Sequence, residues 1–423
     1  MNAPRPVATG SQGGVIDGNE RRARPLADAV LRLIWQEQRI SRAEIARRMD
    51  LSRSTASELV SILLAGGLVA EVGSGPSSGG RKPIVLEFQD DACVILGVEM
   101  GATHVAVALT NLRGEVLAWQ EERFAVREDP VGTRALIARL CEASLAKDTD
   151  RAATLVGICV GVPSPVDPSQ PGGLSEIVLP SWKGEAGLEF LSETYQVPVW
   201  MDNDANLGAL AERWWGVGRG IEDLAYIKIG TGIGSGHVVG GQIYRGAKGI
   251  AGEIGHLVID PHAGAACVCG LRGCLVTLVG SVALVKRANE ILADHPTSRL
   301  TGVDISVDAI QEAALSGDAA ARLLVDEIAA HLGTAVAGMV NLMNPSRVVL
   351  GGGLTRLGEL LLGPMRGIVQ SRTLVGSIDP SNIVMSKLGS RSIAAGAATL
   401  VLQTALADPR YFPSGLRSAA TRR

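Results

Sequence analysis

The chain has 423 residues, 46% of them hydrophobic and 3% aromatic, with 52 glycines and a formal net charge of −3. That length suits two or three domains rather than one, and the apolar content is enough to fill a sizeable core in each. No uninterrupted apolar run of the roughly eighteen residues that a bilayer requires occurs, and the Pro/Gly/Ser-rich first twenty residues lack the apolar stretch of a secretory signal, so no membrane partner is expected. Charge is distributed unevenly. Residues 21–82 hold eleven basic against six acidic side chains, a net of +5, so the remainder carries −8. A basic front end on an acidic body predicts a polyanionic partner for the front end alone.

The front end has the pattern of a DNA-binding module. Leu26 to Glu37 repeats apolar residues at helical spacing, with Leu26, Val30, Leu33 and Ile34 on one face. Ser41-Arg-Ala-Glu44 is a capping-box sequence that opens a short helix with Ile45, Ala46 and Met49 inward. After a turn at Asp50-Leu51, Ser52 caps a helix over about 53–65 whose inward side is Leu59, Ile62 and Leu63, and Gly66-Gly67 stops it. Two short helices around a tight turn, the second Ser-rich outside, predict a helix-turn-helix. Alternating residues 68–72 and 84–88 then flank a loop ending in Gly80-Arg81-Lys82, a wing with a basic tip. In this arrangement Ser52, Arg53, Ser54, Thr55 and Ser57 face groove edges, while Arg42, Arg47, Arg81 and Lys82 contact phosphates. A three-helix protein-docking module is the alternative.

After Gln89 the pattern changes to strands over 94–100, 104–110 and 116–121, a long helix over 130–147, and a buried strand over 156–160. Residues 224–229 and 236–239 flank the turn Gly230-Thr231-Gly232-Ile233-Gly234, and 348–350 runs into Gly351-Gly352-Gly353. Two such turns between strands predict a duplicated α/β unit with a cleft between its halves, where backbone N–H groups can cradle phosphate. Asp202-Asn203-Asp204 lies where a strand (197–201) meets a helix (207–215), which places the Asp204 carboxylate to act as a general base toward a hydroxyl, or else as a helix cap. Downstream, Glu253-Ile-Gly-His256 precedes Cys267-Val-Cys269 and Cys274. One imidazole and three thiolates at this spacing form a tetrahedral set suited to structural Zn2+, the alternative being a buried histidine near a disulfide pair. Cys93, Cys141 and Cys159 stand singly in apolar contexts, as buried thiols do. Clustered ligand cysteines beside lone thiols favour a reducing cytoplasm.

These residues together resemble the ROK family of repressors and sugar kinases, over about residues 26–402. Leu51-Ser-Arg-Ser-Thr and Ser78-Gly-Gly-Arg-Lys-Pro83 are similar to its regulator branch. The resemblance implies a two-lobed actin-like ATPase fold (the sugar kinase/Hsp70/actin class) behind an N-terminal winged helix-turn-helix. It divides the chain into a disordered tail (1–20), a DNA-binding domain (21–88), a small lobe (89–203 with about 386–405), a large lobe with the metal loop (204–385) and a disordered tail (406–423). It implies Asp204 at the kinase catalytic-base position and sugar contacts at Asn203, Asp204, Glu253 and His256. Phosphate loops fall at Gly101 and Thr103, at Gly230, Thr231, Gly232 and Gly234, and at Gly351, Gly352 and Gly353. The metal ligands fall on His256, Cys267, Cys269 and Cys274.

Three departures bear on phosphoryl transfer. The opening phosphate loop reads Glu99-Met-Gly101-Ala102-Thr103-His104, with Glu in place of Asp and a methyl group where backbone approaches phosphate. The segment that supplies a sugar-contacting Asn reads Leu179-Pro180-Ser181-Trp182, and the Glu expected two residues beyond the last metal cysteine is Val276. Degraded loops damage phosphoryl transfer more than sugar binding, which leaves ATP and Mg2+ in doubt as cofactors. The expectation is a sugar-responsive regulator, a repressor, acting on operator DNA as a homodimer or homotetramer. The alternative is an active cytoplasmic sugar kinase carrying a DNA-binding appendage.

Overall fold

The computed structural model describes residues 5–8, 20–74, 83–147, 154–262, 265–374 and 376–413. The front end is three helices, α1 (Glu20–Glu37), α2 (Arg42–Arg48) and α3 (Arg53–Ala65), with a small antiparallel sheet of β1 (Arg39–Ser41), β2 (Val69–Ser74) and β3 (Ile84–Phe88) in the order β1-β3-β2. The caps expected from sequence are in place: Ser41 Oγ accepts from Glu44 N at 3.2 Å and Ser52 Oγ from Thr55 N at 3.1 Å. The first helix begins six residues before the expected Leu26. Ile62 is not a core residue; it is 52% exposed. The buried stripe of α3 is Ala56, Leu59, Val60 and Leu63, an i, i+3, i+4, i+7 row, and Ile62 falls beside it.

The body contains two five-stranded sheets of one topology. The first has β4 (Val94–Met100), β5 (His104–Asn111), β6 (Val116–Arg123), β7 (Leu155–Val162) and β8 (Val199–Asn203) in the order β6-β5-β4-β7-β8. The second has β9 (Leu224–Ile229), β10 (Ile233–Val239), β11 (Gln242–Tyr244), β12 (Arg347–Gly352) and β13 (Ile383–Met385) in the order β11-β10-β9-β12-β13. In each, an antiparallel meander of three strands is extended from its first strand by two parallel ones. The expected duplication is therefore visible strand by strand. Helices α4 (Pro130–Leu145) and α5 (Glu189–Tyr195) belong to the first half, and α7 (Val276–Val279), α8 (Ser281–Ile291), α9 (Val307–Leu315), α10 (Ala319–Met343) and α11 (Glu359–Arg372) to the second. At 25 residues α10 meets the length and apolarity needed to cross a membrane, but 61% of its apolar window is buried among the packed helices of the second half.

Between the sheets lie α6 (Asp204–Trp214) and α12 (Ser392–Ala407). The strand–helix junction sits two to three residues from the expected bounds: β8 starts at Val199 and α6 already at Asp204. Helix α6 is seated backbone to backbone. A Cβ on Gly396 of α12 would stand 1.9 Å from Leu207 O, and one on Gly236 of β10 would stand 2.1 Å from Ala205 O, so only glycine permits either approach.

The front end is not a separate globule. Val30, Leu31 and Ile34 of α1 share one buried cluster with Leu207 and Leu210 of α6 and with Leu402 and Leu406 of α12. Trp35 packs against Trp214 in a tilted pair with ring centroids 5.3 Å apart, donates Nε1–H to Leu112 O at 3.0 Å, and lies 4.6 Å beneath the Arg113 guanidinium. The chain ends, where sequence suggested tails, carry contacts of their own. Val7 N donates to Val199 O at 2.7 Å, and beyond residue 406 Phe412 is buried and Tyr411 meets Trp200 edge-on at 5.3 Å.

Candidate functional site

A cavity of about 1350 Å³ opens between the two halves. On its wall stand Asn203, Asp204, Glu253 and His256, the four residues expected to grip a sugar. Asn203 is also the cap of α6: its Oδ1 accepts from Ala205 N at 2.9 Å and Asn206 N at 3.2 Å, while its amide donates to Ser164 O at 3.2 Å. The capping role considered for Asp204 thus belongs to its neighbour, which leaves one amide hydrogen of Asn203 for a ligand. Asp204 is 5% exposed, in the first turn of α6, and its Oδ2 accepts from Lys228 Nζ at 2.5 Å. Burial, with Asp204 adding to it, pushes the Glu253 carboxyl up to about 7.

Lys228 had no place in the expected site. It is the penultimate residue of β9, two residues before the glycine turn, and its Nζ also lies 3.8 Å from Glu99 Oε1. Glu99 in turn faces His104 Nε2 at 3.4 Å, and that hydrogen bond holds the imidazole above its ordinary range. The signal available in sequence was a lone lysine in the apolar run Leu-Ala-Tyr-Ile-Lys-Ile. Strand lysines commonly extend an apolar stem and carry no such implication.

Of the phosphate-loop residues, Thr103, Gly230, Thr231, Gly232, Gly234, Gly352 and Gly353 line the cavity. Gly101 and Gly351 do not. Gly101 N–H is spent on His104 O at 2.9 Å, within the β4–β5 turn, so it cannot serve phosphate. Gly351 lies inside β12, where a Cβ would stand 2.1 Å from the Tyr226 hydroxyl, which makes it a packing glycine. Nor do the residues present fit a divalent ion bridging carboxylates and nucleotide phosphates. Mg2+ needs oxygen ligands, and an ammonium already occupies the space between Glu99 and Asp204.

The metal candidates converge. One ligand atom from each of His256, Cys267, Cys269 and Cys274 lies within 4.8 Å of every other. Cys269 Sγ and Cys274 Sγ are 3.6 Å apart, near the ~3.8 Å edge of a tetrahedron with metal–sulfur bonds of ~2.3 Å. All six cysteines are free, so the set could hold a metal ion. His256 turns Nδ1 to Cys267 Sγ at 3.4 Å and Nε2 to Glu253 at 3.9 Å, which makes it the link from cluster to cavity. The two remaining departures differ in kind. Val276 lines the cavity as an aliphatic wall, whereas Ser181 is exposed on a 3₁₀ turn away from it.

On the front end, Ser52, Arg53, Ser54 and Ser57 are exposed along the start of α3, and Thr55 is half-buried beside them with its hydroxyl 2.8 Å from Ser52 Oγ. Arg42 is less free than expected, because its guanidinium pairs with Glu71 of β2 at 2.7 Å and so ties α2 to the wing. Arg47 pairs with Glu44 on its own helix at 2.6 Å. Arg81 and Lys82 lie outside the described residues.

With this geometry established, comparison with known proteins is informative. The ROK family pattern matches residues 95–404, and a winged helix-turn-helix DNA-binding pattern matches 29–70. The xylose repressor of Caldicellulosiruptor bescii is 31% identical over 386 residues, 90% of this chain and 96% of that protein. A glucokinase of Halalkalibacterium halodurans is 32% identical over 314 residues, 73% of this chain and 94% of that enzyme. Among solved structures, a ROK family transcriptional regulator described as a homolog of the Escherichia coli MLC protein superposes with a TM-score of 0.78 at 25% identity, covering 92% of this chain and 99% of that one. The family pattern spans well over half of the chain, behind the stretch that matches a winged helix-turn-helix, and the chain belongs to the ROK family.

Proposed function

We infer that this chain is a sugar-responsive DNA-binding transcriptional regulator, a repressor, whose kinase-like body senses its ligand instead of turning it over. One observation carries the reading. Helix α6 begins in the cleft with Asp204 and ends at Trp214, which packs against Trp35 of the DNA-binding front end. A ligand hydroxyl that engages Asp204 therefore acts on the element that the front end rests upon. Such a switch needs different ligand affinities in its DNA-bound and free states.

The rest of the reading follows from the site. Asn203, Asp204, Glu253 and His256 supply donors and acceptors for adjacent sugar hydroxyls. Zn2+ held by His256, Cys267, Cys269 and Cys274 would fix the loop that carries Glu253, and a cluster of free cysteines suits a reducing cytoplasm. As a homodimer or homotetramer the protein would set two α3 helices about 34–36 Å apart, in successive major grooves of a palindromic operator. Gly101 N–H is spent on His104 O and an ammonium sits between Glu99 and Asp204, so ATP-dependent phosphorylation is absent from this reading. The test is selection of bound DNA fragments with and without a panel of sugars, alongside an assay of ADP release. One enriched palindrome whose recovery changes with a single sugar is expected. Enrichment of no sequence would refute regulation, and sugar-dependent ADP release at ordinary kinase rates would restore the kinase alternative.

A further inference from the structure

The floor of the cleft joins two buried carboxylates from different parts of the fold. Glu99 belongs to β4 of the first sheet and Asp204 to the first turn of α6; their side chains are 4% and 8% exposed. Two buried carboxylates facing one another repel and need a cation between them. Lys228 meets that need from a third element, β9 of the second sheet, with Nζ 2.5 Å from Asp204 and 3.8 Å from Glu99 and its own side chain 16% exposed. His104 Nε2 approaches the same Glu99 oxygen at 3.4 Å.

We propose that Lys228 is the specificity-determining residue of this cleft: a built-in cation that takes the place of a divalent metal, so that the site accepts a neutral polyol and excludes a metal–nucleotide. The proposal deepens the sugar-sensing reading and rests on it for the identity of the neutral ligand, but the exclusion of metal stands on the geometry alone. Three consequences follow from the arrangement. A divalent ion cannot enter without displacing an ammonium that is covalently part of the chain. A nucleotide phosphate arriving at the Gly230–Gly232 turn finds no metal held by Glu99 and Asp204 to neutralise it. A sugar hydroxyl, by contrast, can share Asp204, since a carboxylate has lone pairs beyond the one that Lys228 occupies. Because Lys228 also reaches Glu99, a hydroxyl that draws on Asp204 shifts the balance of a cation shared by α6 and the first sheet and is felt in both halves of the body.

The experiment uses the full chain and Mn2+ as probe, with free Mn2+ read from its paramagnetic resonance signal and the melting temperature followed in parallel. The wild-type protein is expected to leave the Mn2+ signal and its melting temperature unchanged. Lys228→Met removes the cation and keeps the stem, and it should gain one Mn2+ per chain with at least a tenfold rise in affinity and a melting temperature that climbs with added Mn2+. Lys228→Arg should behave as wild type, and the double variant Lys228→Met/Glu99→Gln should lose the gained site. Should Lys228→Met fold only when Mn2+ is present, that also supports the exchange of one cation for the other. Mn2+ binding by the wild type that Glu99→Gln abolishes overturns the proposal, as does a folded Lys228→Met that binds no more Mn2+ than wild type. A Mn2+ gain in a protein that responds to no sugar would retain the metal exclusion and refute the sugar reading separately.

Discussion

His256 is the residue at which the cysteine cluster and the cavity meet, because its two ring nitrogens serve different masters: Nδ1 faces Cys267 and Nε2 faces Glu253. If a metal takes Nδ1, the tautomer is fixed and Nε2 must carry the hydrogen, turning it into a donor toward the carboxylate or a sugar oxygen. Loss of the metal would free that tautomer and the loop together. Cys269→Ser, which removes a half-exposed thiol rather than a packed one, should lower Zn2+ affinity by at least about 100-fold, since even outer-shell partners are worth 10–100-fold. Sugar-induced change in operator binding should be lost with it, as measured by metal content and electrophoretic shift on one preparation; an unaltered sugar response in the metal-depleted variant would break the link. The convergence of His256, Cys267, Cys269 and Cys274 was legible in sequence because soft side chains at such close spacing have few other uses. Lys228 was not, since its meaning depends on Glu99 and Asp204, which lie 129 and 24 positions away and meet it only when β9 is laid beside α6.

At the scale of elements, the proposed switch runs along α6, from Asp204 in the cleft to Trp214 beside Trp35. The helix is clamped at Ala205 and Leu207 by glycines of β10 and α12, so displacement at its first turn is carried along the rod instead of being absorbed by side chains. Its far end offers Trp214 to Trp35 and Trp215 to Thr399 Oγ1, the latter through an indole N–H donated at 2.7 Å. Trp214→Ala should therefore leave sugar affinity within about threefold while markedly reducing the sugar-dependent change in operator affinity. The aromatic pair itself is worth only about 0.5–1.5 kcal/mol beyond its buried area, so the protein should stay folded. Isothermal titration with sugar and a DNA shift assay would separate the two, and a normal sugar response would remove α6 from the route. Most elements could be anticipated from periodicity and punctuation: α3 and β4 occupy the residues expected, because Ser52 and Gly66 bracket one and an unbroken apolar run marks the other. The junction at Asn203 was displaced because its cap and its strand end are the same residue, which no alternation of polar and apolar positions can reveal.

Across the whole molecule, the front end shares one buried cluster with part of the first sheet (Ile95, Val156, Cys159 and Trp200), α6 and α12, running from Val30 through Leu210 to Phe412. Such a seam should make the DNA-binding part melt with the β4–β8 sheet, with no transition of its own, because parting them would expose Trp35, Leu31 and the inner face of α12 to water at about 25 cal/mol per Å². Differential scanning calorimetry with and without operator DNA would test this; an early transition that shifts with DNA while the remainder does not would contradict it. The seam also sets terms for anyone wishing to rebuild this regulator as a biosensor with a new operator. A chimera cut at the linker between front end and body would carry a foreign residue to Arg113 and Trp214, and the transplanted reader would arrive deaf to the ligand. The transferable unit is smaller: the outward face of α3, from Ser52 to Ser61, can be rewritten while the Trp35 side of α1 stays native, so that the address changes and the listening mechanism does not.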